Sequence, residues 1–187
     1  MANKDSAFGL RPIGKVGQNR DNQGLSEYDI AASASAIFQN DPVEMAATGT
    51  ITVAAATDLL LGSLTGVFFT DASTSKPTFA NHLKASNTAT DIKGFVSDDP
   101  YERFEIQSDD ATAAADVGLN ADIVYASGAT PNFVSKVELD HSDLKTATAQ
   151  LRVLGISKDI ENNEAGSANV NLVVMINEHF LKGTVGI

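Results

Sequence analysis

The chain has 187 residues, enough for one domain with arms or two small lobes, and at that length it buries roughly 70% of its unfolded surface without staples. It has no cysteine, which excludes disulfides and thiolate metal sites. Its formal charge is −11, yet residues 1–24 carry Lys4, Arg11, Lys15 and Arg20 against Asp5 and Asp21; the leader is +2 and the remainder −13, a body that phosphate backbones repel.

The leader, "MANKDSAFGLRPIGKVGQNRDNQG", has neither a helical stripe nor strand alternation, and it lacks the apolar stretch of a secretory signal. From Leu25 onward the period is two. "LSEYDIA" (25–31) predicts a strand, and "SAIFQNDPVEM" (35–45) predicts strand, Asn-Asp-Pro turn, strand. Thr50 to Val53 reads as β, whereas Ala54 to Leu61 suits a short helix ended by Gly62. The most apolar run, "LLLGSLTGVFF" (59–69), falls short of the ~20 residues a membrane helix needs.

"GVFFTD" (66–71) and "KPTFANHLKA" (76–85) flank "ASTS", a hairpin loop by composition. "TDIKGFVS" (90–97), the turn "DDP" (98–100) and "YERFEIQS" (101–108) follow. In the last of these Tyr101, Arg103, Glu105 and Gln107 alternate with Phe104 and Ile106, as in a half-buried antiparallel strand. "DDATAAADVGLN" (109–120) suits one helical turn closed by Gly118. "ADIVYASG" (121–128) and "FVSKVELD" (133–140) flank a turn at Gly128 and Pro131. "TAQLRVLGISK" (148–158) and "ANVNLVVMIN" (168–177) bracket a polar loop and give the strongest hairpin signal. The expected fold is all-β, mainly an antiparallel sandwich or barrel, with one or two short helices, an extended N-terminal arm at 1–24 and a β-rich body at 25–187.

Residues with catalytic or metal-binding potential have structural explanations. Asp98-Asp99 and Asp109-Asp110 sit beside turn residues, where Asp accepts from nearby backbone N–H groups, and no 12-residue calcium loop surrounds them. His82, His141 and His179 lie far apart and lack ligand spacing. No G-x-S-x-G elbow or phosphate loop is present, and Tyr28, Tyr101 and Tyr125 are too scattered for a stacking platform. The expectation is a non-enzymatic chain with no cofactor and no metal, and with neither nucleic acid nor membrane as a partner.

The leader poses an energetic question. Burying Phe8, Leu10 and Ile13 returns ~5–9 kcal/mol. Fixing the backbone of residues 1–13 costs on the order of 13–26 kcal/mol. Order therefore requires backbone pairing, as when a peptide adds to a sheet edge. Held straight, the leader reaches ~80 Å, enough to cross a neighbouring subunit.

"MANKDSAFGLRPIG", "IFQNDPVEM", "TDIKGFVSDDPYERFEIQSD", "DVGLNADIV", "TAQLRVLGISKDIENNEAG" and "NVNLVVMINEHFLK" together resemble a group of structural proteins of tailed phages, especially marine ones. The resemblance implies a capsid decoration (cement) protein, made in the host cytoplasm, that sits on the outer surface of the major capsid protein shell and stabilises the virion head. It implies the major capsid protein as partner and self-association, for instance as a trimer. It makes Phe8, Gly9, Leu10, Arg11, Pro12 and Ile13 the capsid-binding arm. Asp98-Asp99-Pro100 and Ile176-Asn177-Glu178-His179 become fold markers without a site. The alternative is a head-fibre or adhesion module that binds host-surface glycans, although the chain has no Trp to serve as a sugar platform.

Overall fold

The computed structural model describes residues 2–17, 24–128 and 130–183. Thirteen strands run through them: β1 (Arg11–Lys15), β2 (Ser26–Asp29), β3 (Pro42–Met45), β4 (Ile51–Val53), β5 (Leu60–Thr70), β6 (Pro77–Ala80), β7 (Lys93–Ser97), β8 (Glu102–Gln107), β9 (Asn120–Ala121), β10 (Ile123–Val124), β11 (Glu138–Leu139), β12 (Leu151–Ile156) and β13 (Asn171–Ile176). The fold is all-β, as the period-two patterning implies, and its strand pairings are antiparallel. The helical content among the described residues is three single turns of 3₁₀ helix, at Ala114–Asp116, within the stretch expected to hold one helical turn, and at His141–Asp143 and Phe180–Lys182.

Two large sheets divide the chain. A six-stranded sheet uses residues 26–97 in the order β2-β7-β5-β3-β4, with β6 also paired to β5. A five-stranded sheet has the order β1-β8-β13-β12-β9, and β10 and β11 form a separate ribbon. Each large sheet has its own core. Phe104, Ile106, Leu151, Val153, Leu172 and Val174 fill one. Ile37, Val43, Leu61, Leu64, Leu83 and Val96 fill the other.

β5 shows why a helix is not formed at Ala54 to Leu61. Residues 55–58 make a turn in which Asp58 Oδ2 accepts from the Ala55 N–H at 2.7 Å. Leu60 and Leu61 then open a strand buried on both faces, which reads as an unbroken apolar run and hides its alternation. Leu60 belongs to the first core and Leu61 to the second. The helix expectation fails because consecutive residues serve opposite cores.

The hairpin over "ASTS" is present, with β5 and β6 paired from Val67 with Ala80 to Thr70 with Pro77. Asp71 Oδ1 organises its loop, accepting from the N–H groups of Ser73 at 3.0 Å and Thr74 at 2.8 Å. β12 and β13 form the expected final hairpin, with Leu151 opposite Ile176. β8 departs from half-burial: apart from Arg103, its residues are buried. The cover on its polar face comes from the leader.

Candidate functional site

β1 pairs along β8, with Arg11 opposite Glu105 and Lys15 opposite Glu102. The leader thus adds to a sheet edge, but the edge belongs to its own chain. A boundary at residue 24 between arm and body does not describe the fold, because the leader pairs with β8 and also bonds to Asn40 and Ser63 of the body. The sequence could not reveal this, since β1 has only five residues and a bulge between Pro12 and Gly14 breaks its alternation.

The contacts of the leader explain its order. The Leu10 side chain is fully buried in the first core, while the Leu10 N–H donates to Asn40 O at 2.9 Å. Asn40 Nδ2 donates to Phe8 O at 3.1 Å, and Ser63 Oγ donates to Leu10 O at 2.5 Å. Farther back, Gln107 Nε2 donates to Lys4 O at 3.0 Å and the Ser6 N–H donates to Gln107 Oε1 at 2.8 Å. These bonds, at about 1 kcal/mol each, supply the pairing that three apolar side chains alone lack.

The positive leader finds its acidic partner within its own chain. Lys4 pairs with Glu161 at 2.7 Å on the surface, where such a pair contributes about 0–1 kcal/mol. Lys15 pairs with Asp99 at 3.0 Å in a mostly buried position. The Arg11 guanidinium donates to Glu105 Oε2 and also lies 4.5 Å from the Phe8 ring centroid. Arg20 falls outside the described residues.

The six proposed arm residues therefore separate. Gly9 and Leu10 are buried in the chain's own body. Phe8 and Pro12 are half-buried. Arg11 and Ile13 point outward, and Ile13 is 44% exposed. With Ile156, Lys158 and Val173 they line a shallow groove of about 410 Å³.

The two markers that the resemblance left without a site come together at the seam between the halves. Tyr28 Oη donates to Asp98 Oδ2 at 2.6 Å, and burial followed by that bond pushes the Tyr28 hydroxyl up to about 12. Asp99 Oδ1 accepts from the Tyr101 N–H at 2.8 Å. His179 is buried, its Nδ1 accepts from the Leu181 N–H at 3.0 Å, and its Nε2 has no hydrogen-bond partner among the described residues. Burial, and secondarily Lys182, depresses His179 to about 4 although Asp98 and Asp99 oppose the shift, so the ring is neutral at pH 7. Nearby Glu102 is buried with Oε2 unpartnered among the described residues, and burial raises its pKa.

Asp41 is a second buried carboxylate, in the loop that receives the leader. Its Oδ2 accepts from the Phe38 N–H at 2.7 Å, while Oδ1 has no partner among the described residues. Burial raises it to about 6, against weaker opposition from Ser135 and the Phe38 N–H. Asp41 thus accepts within its own loop, while Asp98 ties the 98–100 turn to β2 through Tyr28. Asp109 and Asp110 likewise accept backbone N–H groups, from His141 at 2.8 Å and Ala111 at 2.7 Å.

Beside the leader lies an open face that sequence reasoning did not assemble. Phe104, Ile106, Leu172, Val174, Leu151 and Val153 point into the first core, so alternate residues on the same strands face away from it. That outer face carries Arg103, Arg152, Val173 and Met175. The alternation of β8 was legible, but the register joining it to β12 and β13 was not. Comparison with protein-family models, curated proteins and solved structures found no match for this chain.

Proposed function

We propose that this chain is a non-enzymatic structural protein of a tailed-phage virion that binds the outer surface of the major capsid protein shell and reinforces the head. The observation that carries the reading is how the resembling stretches are used. The leader closes the five-stranded sheet at β8. The 98–100 turn and the 176–179 end meet at the seam, where the Leu60 N–H donates to Glu178 O at 3.1 Å. The Tyr28–Asp98 bond and the Lys15–Asp99 ion pair tie the 98–100 turn to β2 and to the leader, contacts that suit a structural part. Several copies acting together then turn modest single contacts into firm attachment.

The test is co-sedimentation of the purified chain with mature heads that lack it, followed by a measurement of head stability to heat. Saturable binding that raises the temperature of head rupture is expected. Absence of binding, or binding without reinforcement, contradicts the proposal.

One observation favours the glycan-binding alternative. Phe79, 74% exposed, has its ring centroid 4.8 Å from that of Phe68 and 6.3 Å from that of Phe95, forming an aromatic platform on the six-stranded sheet. Phe platforms lack the polar handle of Trp or Tyr. A glycan array with wild type and Phe79→Ala decides: a strong hit lost in the variant supports adhesion, and a blank array removes it.

A further inference from the structure

The chain has four arginines, Arg11, Arg20, Arg103 and Arg152. The three among the described residues stand on one face of one sheet. The cross-strand registers place Arg152 opposite Met175, and Met175 opposite Arg103, in a single row. In the neighbouring row Val173 faces Glu105, and Glu105 faces Arg11. At the ordinary strand spacing the backbones of Arg103 and Arg152 are about 10 Å apart, with the Met175 thioether between them.

Arg103 and Arg152 are exposed, and neither makes an ion pair among the described residues. Arg152 Nε donates to Asn120 Oδ1 at 3.0 Å. Leu154, the extra residue at the β12 bulge, is 36% exposed beside them. The face therefore has an apolar centre at Met175 and Leu154, with Arg103 and Arg152 at its sides, and along one margin the Ile13 groove, where Glu105 and Asp159 stand among the lining residues. The chain as a whole carries 24 acidic and 13 basic side chains.

We propose that this outer face of the five-stranded sheet is the docking surface for a protein patch that offers carboxylates around an apolar centre. The planar guanidinium accepts a carboxylate through two parallel hydrogen bonds, which is the recognition Arg performs better than Lys. Met175 is a flexible, polarisable contact that adapts to an irregular apolar partner. Four strands and about five residues of each give a face of only a few hundred Å², below the ~800 Å² per partner of a stable protein interface. One such contact is weak, and repetition over many copies makes it firm. Naming the shell as the owner of the carboxylates rests on the proposed function; the chemistry of the face does not.

The test has two arms. In the first, mature heads are titrated with wild type, with Arg103→Glu/Arg152→Glu and with Arg103→Lys/Arg152→Lys, each checked for an unchanged circular dichroism spectrum and melt. The Glu pair is expected to weaken binding ~100-fold or more and the Lys pair ~10-fold, since Lys keeps charge but loses the fork. Wild-type binding that the Glu pair leaves intact overturns the docking face and spares the function. In the second arm, independent of heads, an acidic glutamate–tyrosine copolymer is added to labelled full-length chain. Shifts of the Arg103 and Arg152 side-chain N–H signals and of the Met175 methyl are expected in nuclear magnetic resonance spectra. Shifts elsewhere, no shifts, or tighter binding of duplex DNA at the same residues overturn the inference whatever the heads do.

Discussion

Ser63 on β5 donates its hydroxyl proton to the carbonyl of Leu10, at 2.5 Å, while the Leu10 side chain is sealed in the core of the opposite half. One leader residue is thus bonded to the six-stranded sheet through its backbone and to the five-stranded half through its side chain. A free arm cannot do this. The leader is a staple within the chain.

Leu10→Ala is expected to lose about 2–5 kcal/mol in urea denaturation, the usual range for a fully buried leucine. Deletion of residues 1–13 removes Leu10, the Lys4 and Arg11 ion pairs and most of β1. It is expected to lower the melting temperature by more than the point variant does. An unchanged melt in the deletion would mean that the body is complete without its leader.

Gly9 has φ +73, and a Cβ there would meet Asn40 O at 2.3 Å and Ser135 Cβ at 2.5 Å. Gly49 has nearly the same backbone, φ +77, but open space around it. Gly49→Ala is expected to cost about 1 kcal/mol for left-handed backbone alone. Gly9→Ala is expected to cost clearly more, because strain and overlap add. Equal costs in a denaturation pair would show that the leader can move away from Asn40.

Asp41 is raised in the folded state, to about 6 from 3.8. The folded chain therefore holds its proton more tightly, and this group's penalty grows as pH rises from about 4 to about 6. Above that it stays constant at roughly 3 kcal/mol. Stability of Asp41→Asn minus that of wild type is expected to increase by up to that amount between pH 4 and pH 8. A flat difference would place no proton on Asp41 in that window.

His179 acts with the opposite slope. Its folded pKa lies near 4, below the 6.5 of the unfolded chain, so its contribution is full above pH 6.5 and is lost as pH falls toward 4. His179→Asn, which keeps an acceptor for the Leu181 N–H, pays a packing cost independent of pH. Its stability relative to wild type is expected to improve by about 3 kcal/mol from pH 7 to pH 4, measured by urea midpoint. No improvement would mean that His179 gains its proton without disrupting the fold.

Strand content was legible where one face of a strand meets water or loop, as in β2, β7 and the β12–β13 hairpin, because alternation then survives. It was hidden in β5, where both faces are buried, and in β1, where a bulge interrupts a five-residue strand. Arg11 and Ile13 could be singled out in the leader by their company of Phe8 and Pro12. Arg103 and Arg152 could not be joined to them, since 49 residues separate the two and only the register through Met175 brings them into one row. Burial of Leu10 was equally invisible, because the core that receives it is built from residues 104 to 176 for the most part.

A density map of the decorated head at side-chain resolution tests the whole account most directly. It is predicted to show the chain on the outer shell with β1 still paired to β8 and with Arg103 and Arg152 against carboxylates of the shell. A leader withdrawn from its own sheet and laid across a neighbouring subunit, or a head bearing no density for this chain, would contradict it.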